Sequence, residues 1–195
     1  MKKNNVLPYD GETILIHDNS ADFDWAALTR MLIGTIPWQV ETAQLFGREL
    51  VVPRLTAWFG DSYSGILHRP APFPEIVERL RERAEMLSGA SFNAVLLNLY
   101  RTGRDSVGWH SDHEAGLGEC PTIASLSFGG TRRFQLRHRR TKETITLELR
   151  TGDWLVMAGW TQRFWVHQVP KTASPIDPRV NLTFRRMFLS QPEAR

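Results

Sequence analysis

The chain reads as a mostly β protein with flanking helices, an α+β sandwich or jelly roll. Three observations lead there. Short β-rich runs recur through the second half, turn residues separate them, and only two helical patterns occur, both in the first half. Strands at such spacing, without a helix between each pair, argue against alternating βαβ units.

In chain order, Thr13 to Ile16 is a short strand. A helix follows to about Ile33, with Ser20 as N-cap and Asp22 and Asp24 in its first turn, where carboxylates favour the dipole. Gly34 and Pro37 end it. From Trp38 to Gly60, Val51, Val52, Leu55, Trp58 and Phe59 read as extended pieces, and Asp61 to Gly65 as a loop. Pro74 to Leu87 is the clearest helix: Ile76, Leu80, Ala84 and Leu87 form the apolar stripe, Glu75 and Arg79 an i,i+4 pair, and Gly89 the stop. The strands expected after it are Ala94 to Arg101, Val107 to Asp112, Ile123 to Phe128, Arg133 to His138, Thr144 to Leu149, Trp154 to Ala158 and Val180 to Phe188.

At 195 residues one domain is expected, with residues 1–90 as N-terminal helices and a lid, 91–189 as the β core and 190–195 as a tail. The 24 basic and 21 acidic residues leave a net charge of only +3, so bulk charge does not announce a nucleic-acid binder. Local charge is uneven: Arg132, Arg133, Arg137, Arg139, Arg140 and Lys142 crowd one short region. One cysteine, Cys120, excludes an intramolecular disulfide and a Cys-rich zinc site. Met1 to Asn5 is followed by no long apolar run, so neither a signal peptide nor a membrane span is expected, and a cytoplasmic monomer is the default.

His110 and Asp112 sit at i and i+2, which on a strand places both on one side. His167 can supply a third donor, and two histidines with one carboxylate form the facial set of non-haem Fe(II) oxygenases. His-x-Asp alone is a weak signal. The last strand carries more information. Arg179, Asn181, Thr183 and Arg185 share one face, and Val180, Leu182 and Phe184 the other. That polar face either meets water or turns two guanidinium forks toward a dianionic ligand. Asn98 and Tyr100 alternate with Leu97 and Leu99 in the same way, either as structural polar groups or to orient the same small acid.

Together, Asn98-Leu99-Tyr100, His110-Ser111-Asp112, His167 and the Arg179 to Arg185 strand resemble the AlkB family of Fe(II)- and 2-oxoglutarate-dependent dioxygenases, over about Pro37 to Phe188. Pro53 to Trp58 and Ile123 to Gly129 are similar to the branch that repairs alkylated nucleic acid. The resemblance implies a double-stranded β-helix, a cupin-like jelly roll. It implies Fe(II) on His110, Asp112 and His167, and 2-oxoglutarate, with O2 as the other co-substrate, held by Asn98, Tyr100, Arg179, Asn181, Thr183 and Arg185. The implied reaction is oxidative demethylation of 1-methyladenine and 3-methylcytosine in DNA, single- or double-stranded, and in RNA as well, releasing formaldehyde, succinate and CO2.

A base must leave its stack to reach such a site, and aromatic side chains offset part of that cost. Trp38 and Tyr63 are candidates by position, with Trp58 third, although a Trp in an apolar strand is usually core. Glu114 is placed to accept from an exocyclic amino group or to favour a cationic base, and His113 is discounted as a ligand. His17, His68 and His138 are expected at the surface. Arg137, Arg139 and Arg140 at a hairpin tip, helped by Lys171, are candidates for the phosphate backbone, which would set affinity and salt dependence rather than base choice. Two other readings stand beside this one: the same oxygenase acting on a protein or other non-nucleic-acid substrate, and a catalytically silent jelly roll that only binds nucleic acid.

Overall fold

The elements run in the order β1 (Glu12–His17), α1 (Trp25–Thr35), β2 (Gln39–Leu45), β3 (Arg48–Gly60), α2 (Glu75–Ser88), β4 (Ala94–Tyr100) and β5 (Val107–His110). They continue with β6 (Ile123–Gly129), β7 (Arg132–His138), β8 (Thr144–Leu149), β9 (Asp153–Ala158), α3 (Thr161–Phe164), β10 (Trp165–Val169) and β11 (Arg179–Arg185). This is a computed structural model, and it describes residues 5–45, 48–61, 70–112 and 115–188. Tyr63, His68, His113 and Glu114 fall outside the described residues, as does the expected tail.

The strands form two antiparallel sheets, a seven-stranded one in the order β1-β9-β6-β11-β4-β3-β2 and a four-stranded one in the order β5-β10-β7-β8. Alternation along each strand decides what lies on either face. On one side of the large sheet, Leu97, Leu99, Leu126, Val180, Leu182 and Phe184 pack with Leu28 and Leu32 of α1 and Val77, Leu80 and Ala84 of α2. On the other side, Tyr100, Ile123, Leu155 and Met157 meet Phe134, Leu136, Leu149, Trp165 and Val169 of the small sheet. The jelly roll read from the strand spacing is the architecture, backed by two helices on one face.

Several local expectations change. The first helix begins at Trp25 rather than after Ser20, and its N-cap is Asp24, whose carboxylate accepts the Ala27 N–H at 2.9 Å. Asp18 explains the shift, because it turns the chain by accepting the Ser20 N–H at 3.1 Å, so Ser20 lies in a turn outside the helix. The second helix runs as read and stops at Gly89 with φ +73. Its ion pairs join Arg81 to Glu78 and Glu85, instead of Glu75 to Arg79. Trp165–Val169, absent from the strands read in the sequence, is β10, the strand between β5 and β7. The division at residue 90 crosses a continuous sheet: β1 pairs with β9 and β3 with β4, so the N-terminal half supplies strands as well as helices. His138 is buried, against expectation, since it follows Phe134 and Leu136 at i+2 spacing on the inward face of β7.

Gly129 makes the turn out of β6 possible. Its φ is +77, and a Cβ there would lie 2.2 Å from the Pro178 carbonyl oxygen just ahead of β11.

Asp18 ties the N-terminal segment to α2. Its carboxylate accepts from Arg83 Nε at 2.9 Å and Nη2 at 3.0 Å, and from the Trp154 indole at 3.3 Å. Burial pushes this carboxyl up, but Arg83 and the Ser20 N–H hold it below its ordinary 3.8. Arg83→Ala leaves a buried carboxylate short of its charged partner and should cost about 2–3 kcal/mol at neutral pH, read by denaturant unfolding. The native form binds the proton less readily than the unfolded form, so the pair's contribution is complete above the ordinary value of 3.8 and is lost as pH falls through the lower folded value. The gap between wild type and Arg83→Ala should therefore narrow in acid.

Candidate active site

β5 and β10 run antiparallel with His110 opposite His167, so two sequence-distant imidazoles become cross-strand neighbours with ring centroids 4.3 Å apart. β5 ends at His110, and Asp112 lies beyond it. The side-by-side placement assumed for a continuing strand is therefore produced by a loop. Asp112 still turns back: its Oδ1 is 3.8 Å from His110 Nε2 and its Oδ2 is 4.0 Å from His167 Nε2. One donor atom from each of the three residues lies within 4.8 Å of the others.

The protonation states suit a cation. His110 Nδ1 faces the Gly108 carbonyl at 2.8 Å, and a carbonyl only accepts, so Nδ1 carries a proton and Nε2, which faces Asp112, is the ring nitrogen placed for a metal. Burial pushes His167 down to about 3 against the pull of Asp112, so its imidazole is neutral at physiological pH. Burial pushes the Asp112 carboxyl up, but Arg185 and the two histidines outweigh it and hold it below the ordinary range. Two imidazoles and one carboxylate are the donor set that a divalent iron site requires.

β11 supplies the other half. Its partners are β4, with Arg179 opposite Tyr100 and Asn181 opposite Asn98, and β6, with Asn181 opposite Ser127. Arg179, Asn181, Thr183, Arg185, Asn98 and Tyr100 consequently line the same cavity as the three metal donors. Arg179 is 1% exposed, and burial lowers its pKa to about 10, so it remains charged. Its Nη2 donates to Ser127 Oγ at 2.9 Å, while Nε and Nη1 have no hydrogen-bond partner among the described residues. Among the described residues no carboxylate pairs with it. A buried, half-satisfied guanidinium is costly unless an anion completes it, and the carboxylate of a 2-oxo acid fits that need.

The other polar residues divide their tasks. Arg185 Nη2 lies 3.0 Å from Asp112 Oδ1, so this arginine steadies the metal carboxylate, and its Nε has no partner among the described residues. The Asn181 amide donates to Ser125 Oγ at 2.7 Å and the Leu126 carbonyl at 3.0 Å, and its oxygen accepts from Thr183 at 3.0 Å. Asn181 thereby braces the β6–β11 floor and leaves Thr183 on the cavity wall. Asn98 accepts from Arg54 Nε at 2.6 Å.

Such a fold with such a site defines a non-haem iron oxygenase of the 2-oxo-acid-dependent kind. Residues 15–185 match the profile of the 2OG-Fe(II) oxygenase superfamily. Human alpha-ketoglutarate-dependent dioxygenase alkB homolog 3 is 41% identical over 178 residues, 85% of this chain and 62% of that protein. The mouse DNA oxidative demethylase ALKBH2 is 40% identical over 158 residues, 74% of this chain and 66% of that protein. The chain thus spans somewhat less than two thirds of the length of these relatives. The solved structure of OsALKBH1 superposes with a TM-score of 0.60 over 89% of this chain and 97% of that one, at 17% identity, and supports the fold. The chain belongs to the 2OG-Fe(II) oxygenase superfamily and, within it, to the AlkB family.

The substrate candidates fare unevenly. Trp58 is corrected to a core residue: it is 8% exposed, packs with Ala94, Leu117 and Met187, and donates its indole N–H to the Asp61 carbonyl at 3.0 Å. Trp58 lies on the cavity-side face of β3, with Arg54 and Thr56 and opposite Leu96, but farther along the strand, where its own apolar neighbours enclose it away from the cavity lining. Trp38 is half-buried against the helical core, with its indole bonded to the Ile33 carbonyl at 3.1 Å, and it does not line the cavity. Arg137 lies over the Trp109 ring at 4.1 Å, and Arg139 donates to Ser111 Oγ at 2.7 Å, between two metal donors in sequence. Arg140 and Lys171 are exposed.

Two contributors escaped the sequence reading. Arg54, on β3, reaches the cavity through the Asn98 bond. Gln162, 1% exposed, accepts the Asp112 N–H at 2.9 Å, a donor that the end of β5 would otherwise leave buried and unpaired. It sits on α3, immediately ahead of the strand that carries His167, so one amide couples two metal donors. No motif marks it; only the Thr161-Gln162 start of a one-turn helix was available as a signal.

Two predictions follow from these contacts. Gln162→Leu keeps the side-chain volume but removes the acceptor, and should weaken Co(II) binding about 10–100-fold by calorimetry, with Gln162→Glu retaining more affinity. Arg179→Met should reduce 2-oxoglutarate binding by a factor of about 100 or more while leaving Co(II) binding near wild type, since charge-assisted bonds are worth about 1.5–3 kcal/mol each.

Proposed function

We propose that the protein is an oxidative demethylase of N-alkylated bases in nucleic acid, with 1-methyladenine and 3-methylcytosine in DNA as its substrates and RNA as a further one. The observation that carries the catalytic part is the juxtaposition of the His110–Asp112–His167 donors with a buried Arg179 whose Nε and Nη1 lack a partner among the described residues. The nucleic-acid part rests on the similarity to proteins named alkB homolog 3 and DNA oxidative demethylase, and on the basic hairpin beside the metal donors.

His110, Asp112 and His167 would hold Fe(II), and Arg179 the distal carboxylate of 2-oxoglutarate. Bound together with O2, these groups supply an oxidation in which the 2-oxo acid becomes succinate and CO2 and one methyl C–H becomes C–OH. A hydroxymethyl group on a ring nitrogen then leaves as formaldehyde and restores the base. The chain's own residues make this site selective. Arg185 keeps Asp112 ionised, burial keeps His167 neutral, and Gln162 fixes the backbone between the ligands. Phe134 stacks on His167 with ring centroids 5.3 Å apart and closes the inner wall to water. His110, with a side chain 37% exposed, marks the open side where a base extruded from its stack can enter. All the described donors of the site come from one chain, which supports a monomer as the working unit.

The test is a single-stranded oligonucleotide bearing one 1-methyladenine, incubated with Fe(II), ascorbate and 2-oxoglutarate. Mass spectrometry should show loss of one methylene unit together with formaldehyde, and His110→Ala should abolish both. Succinate formed without any change in the oligonucleotide would move the substrate to another class. Binding without succinate would reduce the protein to a nucleic-acid-binding jelly roll.

A further inference from the structure

Trp160 is the only exposed tryptophan of the seven, at 41%, whereas Trp154, Trp165 and Trp58 are buried. It stands at the start of α3, and its carbonyl accepts the Arg163 and Phe164 N–H groups, so the backbone there is set independently of the indole. Arg163 lies 5.1 Å from the Trp160 ring and 5.8 Å from that of Phe164, and the two rings meet edge-on at 6.4 Å. The exposed part of this indole, with a cation beside it, offers a flat face on which a planar group can stack.

Its place relative to the site narrows the partner. From the lip at His110, Ser111 accepts from Arg139; the Arg139 N–H donates to the Phe164 carbonyl at 2.8 Å; and Phe164 leads to Arg163 and Trp160. Along this path Arg139, Arg140, Lys142 and Arg163 are all exposed. The acids nearby do little to cancel them. Glu143 is turned to the Tyr9 hydroxyl at 2.7 Å, and Glu119 meets Arg163 at 3.6 Å with both side chains more than half exposed, a pair of little energy. A strip that alternates cations with an exposed aromatic, starting at the mouth of a base-accepting site, matches a single strand with regularly spaced phosphates and unstacked bases.

We propose that unpaired nucleotides flanking the target base run from the basic hairpin across Phe164 and stack on Trp160. This rests on the demethylase reading for its direction, and it makes Trp160 a determinant of preference for single strands and for length. Arg139 and Arg140 contribute phosphate contacts along the way, while a paired strand has no free base face to offer the indole.

The experiment compares two methylated substrates, a trinucleotide centred on 1-methyladenine and a single strand of about fifteen nucleotides, with wild type, Trp160→Ala and Trp160→Phe. A lost stack should raise KM for the long strand about tenfold in Trp160→Ala, with kcat and all trinucleotide parameters unchanged and most of the loss restored by Trp160→Phe. Fluorescence anisotropy with an unmethylated labelled strand of the same length should show the same weakening. Equal losses on both substrates would overturn the proposal, because the indole would then act through the fold of α3. So would wild-type KM and affinity in Trp160→Ala, with demethylation intact. If wild type fails to demethylate either substrate but strand affinity still falls in Trp160→Ala, the strand surface stands and the demethylase reading fails.

Discussion

The position of β11 in the middle of the large sheet constrains everything else. Paired on both edges, by β4 and by β6, it cannot slip by one residue without exchanging its two faces. One face carries Val180, Leu182 and Phe184 into the helical core, where each buried side chain stabilises by about 1.5–3 kcal/mol. Slippage would bring Arg179 and Arg185 into that core and Phe184 into the polar cavity. Apolar packing on one side therefore holds the register that places two guanidinium groups on the other. The strain of burying Arg179 is borne by hydrocarbon that never touches a ligand.

The metal donors are assembled by a different device. His110 and His167 face one another across a ladder, which sets their spacing through backbone hydrogen bonds. Asp112 has no ladder to hold it, so its position depends on two side chains, Gln162 at its N–H and Arg185 at its carboxylate. The second of these also belongs to the strand that offers Arg179. Metal half and co-substrate half are thus mechanically one unit, and Asp112 is where they join.

The same small helix serves inside and outside. Gln162 is buried against the Asp112 backbone, Arg163 and Trp160 are exposed, and β10 with His167 follows directly. A ligand strand lying on the outer side of α3 would rest on the element that positions the inner one.

Much of this was legible in the chain. Alternation along Arg179 to Arg185 and along Leu97 to Tyr100 assigns each residue to a face before any partner is known, because a strand's side chains have a period of two. The stripe of the second helix and its glycine stop are equally local. Other features depend on encounters between distant segments. His138 looked like a surface histidine until Tyr9 and Trp165 closed over it with ring centroids 5.0 Å away. Trp58 became core, Ser20 gave up its cap to Asp24, and Asp112 proved to lie past the end of its strand. Residue order by itself determined which side chains would share a face, since that follows from backbone geometry alone. Only the tertiary structure decided that Gln162 would complete Asp112 and that Trp160 would stay in water beside a line of cations, because both depend on which surfaces meet when the two sheets close.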